Sequence, residues 1–335
     1  MKDVVTFGSA AWDVFMKIGG FKSLKSKKFV SKTGICFNLG SKIDVDDIYF
    51  SSGGGGTNTA VTFANQGLRT SFLGKIGSDL AGAEIIKELN EYNVNTGLIF
   101  KTNKRPTNYS LIFKAKKDRT ILAYRGAAEL LDRRDIPFER LKKTKWFYLA
   151  PLSGGLAKLT KNIINFAYRN NIKIAFNPGN SQLSLPKKEL KAVIGKVNVL
   201  LLNQEEASIL TGIDYHKEEE IFKEIDDICP GIAVMTKGAE GLTISDGKHL
   251  FSTDGTKNNI IDNTGAGDAF GSGFVSGLIK TKGDIEKSIQ LGMGNSVSCL
   301  RSWGAKAGLL KKGQKFKKAK IVKEVCLGHN CKDKR

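Results

Sequence analysis

The sequence predicts an α/β protein with a central, mostly parallel sheet, helices on both faces of that sheet and a small β lid. Three observations lead to this prediction. Short apolar runs alternate with segments of helical period through most of the 335 residues, which is typical of βαβ units. Two glycine-rich turns each open a helix. Residues 17–50 and 107–124 break the alternation and predict an added β structure.

The alternating elements follow one another along the chain. Apolar runs predict buried strands at 4–8, 71–76, 146–150, 173–177, 197–203 and 232–236. Apolar residues at helical spacing predict helices near 60–67, 80–91, 156–169, 205–210, 218–228, 268–280 and 285–300. The first of these helices ends at Gly67, and glycine is a common signal at a helix C-terminus.

The lid is predicted from two separated segments. Tyr109, Leu111 and Phe113 alternate with their neighbours, and a turn leads into a second run, which predicts an antiparallel hairpin over 107–124. Residues 17–50 show no helical period. Such additions are usually lids or dimer edges. We therefore expect one domain, residues 1–325, with this lid inserted and used for pairing in a homodimer, and a basic C-terminal tail at 326–335.

The net charge is unusually positive, at +20 from 53 Lys and Arg against 33 Asp and Glu. Residues 311–335 hold ten of these cations and two acids, and residues 17–42 hold seven lysines and no acid. Both segments lack the interleaved aromatic residues that stack on bases, and the alternation at 316–322 predicts an exposed edge strand protected by lysine. We expect a solvated surface; a non-catalytic nucleic-acid-binding protein is the remote alternative, and salt-dependent binding would identify it.

The five cysteines form no CxxC pair, and their number is odd, so neither a disulfide framework nor a four-ligand zinc site fits. The longest apolar run, 197–202, is too short for a membrane span. We expect a cytoplasmic protein that does not use a membrane.

The strongest motif is DNTGAGDAF at residues 262–270, directly before a helical pattern. Two glycines, Gly265 and Gly267, flank Ala266, so successive backbone N–H groups can converge at the positive end of a helix dipole and bind an anion. Asp268 follows in the first turn. Its carboxylate is either an N-cap or a general base that faces the bound anion.

A second glycine-rich turn, GGGGTN at residues 53–58, opens another helix. It is neither a Walker A loop nor a GxGxxG turn after the first strand. The turn is either a flexible loop or a place where backbone approaches a small polyhydroxylated ligand closely. In the second interpretation Asn58 supplies both a hydrogen-bond donor and an acceptor.

Together these segments resemble the ribokinase-like, or PfkB, family of carbohydrate and nucleoside kinases. Residues 53–82 are similar to the family's N-terminal signature and residues 262–270 to its C-terminal signature. Shorter matches fall in order at 8–13, 203–206 and 236–241. The resemblance covers nearly the whole chain. It implies a three-layer α/β/α fold and an ATP-dependent phosphotransferase with an alcohol group as acceptor.

The resemblance also implies roles for individual residues. Asp268 resembles the catalytic base, and Gly265, Ala266 and Gly267 resemble the turn that stabilises the transferring phosphoryl group. The implied sugar-binding residues are Asp13, Gly54, Gly55, Gly56 and Asn58. The implied nucleotide-binding residues are Asn203, Thr236, Gly238, Gly241, Gly267 and Asn295.

Two metal sites are implied in the same way. Glu206 resembles a residue that organises Mg²⁺, through water because magnesium dehydrates reluctantly; alternatively it is an exposed helix residue. Asp262 and Thr264 correspond to positions that hold a potassium ion in many relatives, or they form a cap pair before the helix.

The substrate is less sharply defined. Ribokinases usually carry a lysine where this chain has Gly55, and an acid near the strand end that here reads YLAP at 148–151. Trp12, Tyr109 and Phe113 suit either a base or a sugar ring. We expect a sugar kinase that phosphorylates a hydroxymethyl group, with a nucleoside kinase as the alternative. The motifs favour ATP as donor without separating it from ADP.

Overall fold

The computed structural model describes residues 2–18, 22–26, 33–114, 119–256 and 260–325. Within these ranges the strands are β1 (Lys2–Phe7), β2 (Ala11–Lys17), β3 (Lys22–Lys25), β4 (Thr33–Cys36), β5 (Asp47–Gly53), β6 (Thr70–Gly77), β7 (Asn95–Thr102), β8 (Asn108–Lys114), β9 (Arg119–Tyr124), β10 (Thr144–Leu149), β11 (Lys173–Phe176), β12 (Val199–Asn203), β13 (Ile232–Thr236), β14 (Leu242–Ser245), β15 (His249–Thr253) and β16 (Val322–Val325). The predicted basic tail at 326–335 lies outside the described residues.

The helices in the same ranges are α1 (Gly55–Asn65), α2 (Leu80–Glu91), α3 (Phe138–Leu141), α4 (Thr160–Arg169), α5 (Asn180–Leu183), α6 (Lys187–Ile194), α7 (Gln204–Thr211), α8 (Glu218–Ile228), α9 (Ala266–Thr281) and α10 (Ile285–Cys299). None of them is long and apolar enough to cross a membrane.

The main sheet has ten strands in the described part of the chain, in the order β16-β15-β14-β13-β12-β11-β10-β1-β6-β7. The strands from β13 to β7 are parallel, and β14, β15 and β16 form an antiparallel edge. The apolar runs follow from this arrangement, because a parallel strand is covered on both faces.

Two layers of helices cover the two faces. Apolar residues of α4, α6, α7 and α8 pack with Val5, Phe147 and Leu200 on one face. Residues of α1, α9 and α10 pack with Val4, Tyr148 and neighbouring residues on the other. The predicted three-layer α/β/α fold with a mostly parallel sheet is therefore confirmed.

A second sheet has the order β5-β2-β8-β9, and the hairpin predicted at 107–124 is present as β8 and β9. The sheet also includes β2, which begins at Ala11, so it starts earlier than the predicted lid segment 17–50. Pairing between β2 and β8 joins the two segments. We call this four-stranded unit the small sheet.

The edge strand predicted at 316–322 lies further along the chain. The strand is Val322–Val325, with all four residues exposed. Phe316 instead packs against α10, since a Cβ on Gly294 would lie 2.4 Å from its ring. Phe316 is therefore held by α10 and not by the sheet. Pairing with β15 begins at Val322, where the chain reaches the edge of the sheet.

Candidate active site

The site lies at the carboxyl edge of the main sheet, where the strand order reverses. The chain passes from β1 to β6 on one side of β1, while β10 pairs with its other side. Where the connections after two neighbouring parallel strands lead to opposite sides of the sheet, a crevice opens at the carboxyl ends of those strands. α1 begins in this crevice: a Cβ on Gly55 would lie 3.1 Å from the Cβ of Ala150 and 3.3 Å from a carboxylate oxygen of Asp268.

α9 begins with the turn predicted to bind an anion. Its N-cap, Gly265, has a φ of 76° in the left-handed region, and no side chain caps the helix. A Cβ on Gly265 would lie 2.4 Å from the Cβ of Ala305, whereas one on Gly267 would meet nothing within 4 Å. The turn therefore presents an uncapped, positive helix end beside open space, as an anion site requires.

Asp268 lies in the first turn of α9 without capping it. Its Oδ2 accepts a hydrogen bond of 2.9 Å from Nδ2 of Asn58 on α1. Burial raises the pKa of the Asp268 carboxyl, and the Asn58 hydrogen bond and the Lys306 charge oppose that rise. The alternative role as an N-cap is excluded, because Gly265 is the N-cap and no side chain caps the helix.

Asn58 joins the two glycine-rich turns. It is 5% exposed, and while its Nδ2 binds Asp268, its Oδ1 is buried with no hydrogen-bond partner in the described chain. A buried amide oxygen without a donor is costly. A ligand hydroxyl would supply the missing donor.

The glycines before Asn58 have mainly packing roles. Gly54 has a φ of 95°, and a Cβ on this glycine would lie 2.4 Å from the carbonyl oxygen of Ser9. A Cβ on Gly56 would lie 2.6 Å from the Phe72 ring and 2.8 Å from the Cα of Gly8. Gly56 is buried and lets α1 pack closely on the end of β1, and its contact with a substrate stays a prediction. Gly55 remains beside Asp268.

Asp13 lies on β2 and is 6% exposed. It covers Gly53, since a Cβ on that glycine would fall 1.9 Å from the Asp13 Oδ2. Burial raises the pKa of Asp13, while a hydrogen bond from Ser110 and the charges of Lys306 and Arg119 act in the opposite direction. The Asp13 carboxylate therefore faces a polar pocket, in which the Ser110 donor and the nearby cations partly offset the cost of its burial.

The aromatic residues suggested for substrate stacking lie elsewhere. Trp12 and Tyr109 are neighbours in the register of the small sheet, as Asp13 and Ser110 are. Because side chains alternate across a strand, Trp12, Tyr109 and Phe113 lie on the face opposite Asp13. Trp12 instead stacks on Phe50, at 6.5 Å between ring centroids.

A cavity of about 350 Å³ adjoins the α9 turn. It is lined by four of the predicted nucleotide-binding residues, Thr236, Gly238, Gly241 and Gly267. The lining also includes the apolar side chains of Leu242, Phe270, Met293 and Val297. Such a cavity, with few polar groups and an anion site at its edge, suits a purine nucleotide.

Asn295 is not among the residues that line this cavity, and its predicted nucleotide contact stays a prediction. It is fully buried. Its Nδ2 donates to Oγ1 of Thr62 and to the carbonyl of Ala269, and its Oδ1 accepts from the Leu310 N–H. With these groups engaged, Asn295 ties α10 to α1, α9 and the following loop.

Asn203 and Glu206 form a reciprocal capping box at the start of α7, with both hydrogen bonds at 2.8 Å. Asn203 is exposed and lies beside Thr236 in the sheet register, outside the cavity lining. Burial raises the pKa of Glu206. One half-buried carboxylate, without a cationic partner among the described residues, fits a magnesium ion held mainly by water and phosphate.

Asp262 and Thr264 do not fit the implied potassium site. One Asp262 oxygen accepts from the Thr264 N–H and Oγ1, and the other accepts from the Gly304 N–H. Arg119 forms an ion pair with the same carboxylate at 3.6 Å. All these partners are donors, and since no side chain caps α9, the two residues form a hydrogen-bonded turn before the helix.

Sequence patterns missed three residues of the site: Ser110, Arg119 and Lys306. Lys306 is 2% exposed and lies in the loop after α10. Its Nζ donates to the backbone oxygen of Ser52 at 2.7 Å and to the Ser52 hydroxyl. No local motif marks it, and a single lysine in so basic a chain gives no signal.

A crevice at the reversal of strand order, an uncapped helix turn with an adjacent carboxylate and an apolar cavity thus lie together at one edge of an α/β sheet. Residues 27–311 match the model of the pfkB family carbohydrate kinases. The chain belongs to this family. It is accordingly an ATP-dependent kinase of the class that acts on sugars and nucleosides.

Two relatives agree with this family, and a solved structure agrees with the fold. An ATP-dependent 6-phosphofructokinase from Thermoanaerobacterium thermosaccharolyticum is 25% identical over 81% of this chain and 85% of its own. A ribokinase from Lactococcus lactis is 29% identical over 85% of this chain and 91% of its own. The structure of Arabidopsis thaliana ribokinase, complexed with ribose and ATP, superposes with a TM-score of 0.75 at 19% identity, covering 92% of this chain and 96% of that one.

Proposed function

We propose that the protein transfers the γ-phosphoryl group of ATP to a hydroxymethyl group of a carbohydrate, with Asp268 as general base. The observation that supports this most directly is the first turn of α9. It holds Asp268 against Asn58 on the crevice side, and its Gly267 lines the apolar cavity. One helix end therefore borders both the acceptor site and the donor site.

In this mechanism the acceptor hydroxyl gives its proton to the Asp268 carboxylate while its oxygen attacks the γ-phosphorus, and ADP leaves. The N–H groups of the turn from Gly265 to Asp268 stabilise the charge on the transferring phosphoryl group. Mg²⁺, when bound, would neutralise the nucleotide phosphates, and Glu206 would hold it through water. The chain's own contribution is position and electrostatics.

The acceptor would be held by Asp13 and Asn58. An ionised carboxylate can accept from two sugar hydroxyls, and the unpartnered Asn58 Oδ1 can accept from a third. The displacement of Trp12, Tyr109 and Phe113 to the opposite face of the small sheet favours a carbohydrate over a nucleoside.

A nucleoside kinase is the second candidate. Tyr49 lies on the face of the small sheet that carries Asp13, and its ring is 6.4 Å from that of Trp303. This pair could stack on a base. A panel of free sugars, sugar phosphates and nucleosides with ATP, scored by ADP release, separates the two candidates. Saturable turnover with nucleosides alone would contradict the carbohydrate assignment.

The role of Asp268 is tested by Asp268→Asn. We expect normal folding and a loss of about 10² to 10⁴ in kcat, because the amide cannot accept the proton. Asp284→Asn is the control, since it changes an aspartate that caps α10 to another good capping residue. Activity of Asp268→Asn within about threefold of the parent would exclude Asp268 as the base.

We further propose a homodimer that pairs through the small sheet. Its outer face exposes Ile48, Phe50, Leu111, Leu122 and Tyr124, and its edge strands β5 and β9 have open sides in the described chain. A patch of this kind is self-complementary under two-fold symmetry. The protein is proposed to be cytoplasmic, where the buried thiols of Cys229 and Cys299 stay reduced.

A further inference from the structure

The turn at residues 237–241, which we call the cavity turn, forms part of the wall of the apolar cavity. Gly238 and Gly241 line the cavity directly. Both have a positive φ, of 57° and 101°, and glycine leaves such a conformation readily because no side chain restricts it. One backbone hydrogen bond closes the turn, from the Lys237 N–H to the Gly241 carbonyl at 2.7 Å. The shape of the turn therefore depends on contacts from outside it.

The Lys237 side chain makes such contacts on the side away from the cavity. Leu242 lines the cavity, so Thr243, the next residue of β14, points to the opposite face of the sheet. The Lys237 Nζ donates to Oγ1 of Thr243 at 3.1 Å, which places the ammonium group on that opposite face. α8 packs on the same face.

Glu218, the first residue of α8, completes a three-residue network. The Lys237 Nζ donates to its two carboxylate oxygens at 3.1 and 3.0 Å, and the Thr243 hydroxyl donates to one of them. Each of the three ammonium donors thus has an acceptor. The side chains of Lys237 and Glu218 are only 17% and 31% exposed. A shielded ion pair within a network holds its geometry better than an isolated surface pair does.

We propose that Lys237 is a positioning residue for the nucleotide donor, because it ties the cavity turn to β14 and α8 from behind. The proposal rests on the proposed function, in which this cavity takes ATP. The ammonium group lies on the far face of the sheet and does not touch the nucleotide. Its loss should therefore weaken donor binding and leave the acceptor site and the chemical step unchanged.

Two variants test the proposal. Lys237→Met removes the charge and all three hydrogen bonds, and Glu218→Gln removes the ion pair but keeps an acceptor for Thr243. In both we expect the ATP KM to rise about tenfold, with kcat and the acceptor KM within about twofold of the parent. The double variant should be no worse than Lys237→Met alone, because the two residues act through one network.

Lys191→Met is the matched control. Lys191 forms an ion pair with Glu224 of the same helix α8, at 2.8 Å, and neither residue is among those that line the cavity. This variant should leave the ATP KM unchanged. If Lys237→Met does not fold, Glu218→Gln decides. An ATP KM within about twofold of the parent in the folded variant would overturn the proposal.

A second measurement does not need turnover. ADP binding is measured by calorimetry, without acceptor, in the parent, Lys237→Met and Lys191→Met. A dissociation constant raised in Lys237→Met alone supports the proposal, and equal values in all three proteins overturn it. A parent that binds ADP but phosphorylates no acceptor would contradict the proposed function instead, so the two failures are distinguishable.

Discussion

At the residue scale, Asp3 forms a polar connection in the centre of the main sheet. Its carboxylate accepts from the Arg69 backbone N–H, Nε and Nη2, and forms an ion pair with Lys145 at 3.0 Å. Arg69 and Lys145 belong to the chain segments of the two strands beside β1. The carboxylate therefore links three neighbouring segments, and the Arg69 hydrogen bonds hold its pKa well below the usual range.

We expect Asp3→Asn to lower the free energy of unfolding by about 1–2 kcal/mol at pH 7, a modest loss because the Arg69 side chain is largely exposed. Since the folded pKa is below the unfolded one, the stabilisation is complete above about pH 4 and is lost as the pH falls through the folded pKa. Urea unfolding of parent and variant at pH 7 and pH 3 measures this. A difference that grows toward pH 3 would contradict it.

The site was predictable from the sequence where its residues belong to local motifs. Asp268 and Asn58 follow glycine turns that open helices, and the structure brings them to 2.9 Å. Lys306 and Arg119 were not predictable, because their relation to the carboxylates arises only when distant segments pack together. The burial of Asn295 was not predictable either, because a sequence does not show whether an amide faces a cavity or the core.

At the element scale, Asp79 connects α2 to the base of the small sheet. It caps α2 by accepting from the Gly82 N–H at 2.9 Å. The same carboxylate accepts from the Thr107 N–H at 2.8 Å and the Thr107 hydroxyl at 2.6 Å. Thr107 immediately precedes β8, so one side chain fixes both a helix end and a strand start.

Asp79→Ala should therefore cost about 2–3 kcal/mol of unfolding free energy, the sum of a lost cap and a broken buried network. Asp284→Ala is the comparison, because Asp284 caps α10 through the Lys287 N–H, and it should cost only about 1 kcal/mol. Urea denaturation gives both values, and hydrogen exchange should show faster opening of β8 in Asp79→Ala alone. Equal losses would argue against the dual role.

Elements were predicted well where the hydrophobic period is strong. The buried parallel strands and the long helices are examples. β2 and β7 were missed, because β2 joins the small sheet instead of continuing the βαβ pattern, and because β7 is an edge strand with mainly exposed or half-buried residues. The pairing of β2 with β8 depends on contacts across the chain that no local period records.

At the scale of the whole molecule, the basic residues of the described C-terminal stretch, 311–325, lie on the surface. Residues 311–325 are almost all exposed, and Lys323 lies over the Phe251 ring at the edge strand, 5.3 Å from its centroid. This distribution supports the interpretation as a solvated surface. Lysine at an open edge also hinders pairing with other chains.

The outer face of the small sheet leads to a prediction about assembly. We expect light scattering at micromolar concentration to show a dimer, and Leu122→Glu to give a monomer, because a buried charge at an apolar interface is unfavourable. Leu80→Glu changes an exposed leucine on α2 outside that face and should leave the dimer intact. A monomeric parent would refute the dimer.

The position of β1 has a consequence for how the protein is made. β1 lies inside the main sheet, but its partners β6 and β10 end at Gly77 and Leu149. At about 5–20 residues per second, on the order of ten seconds of synthesis separate β1 from β10. During that interval one edge of β1 is an open template for other chains. Until β10 is made, the nascent chain therefore carries an unpaired strand edge at what becomes the interior of the sheet.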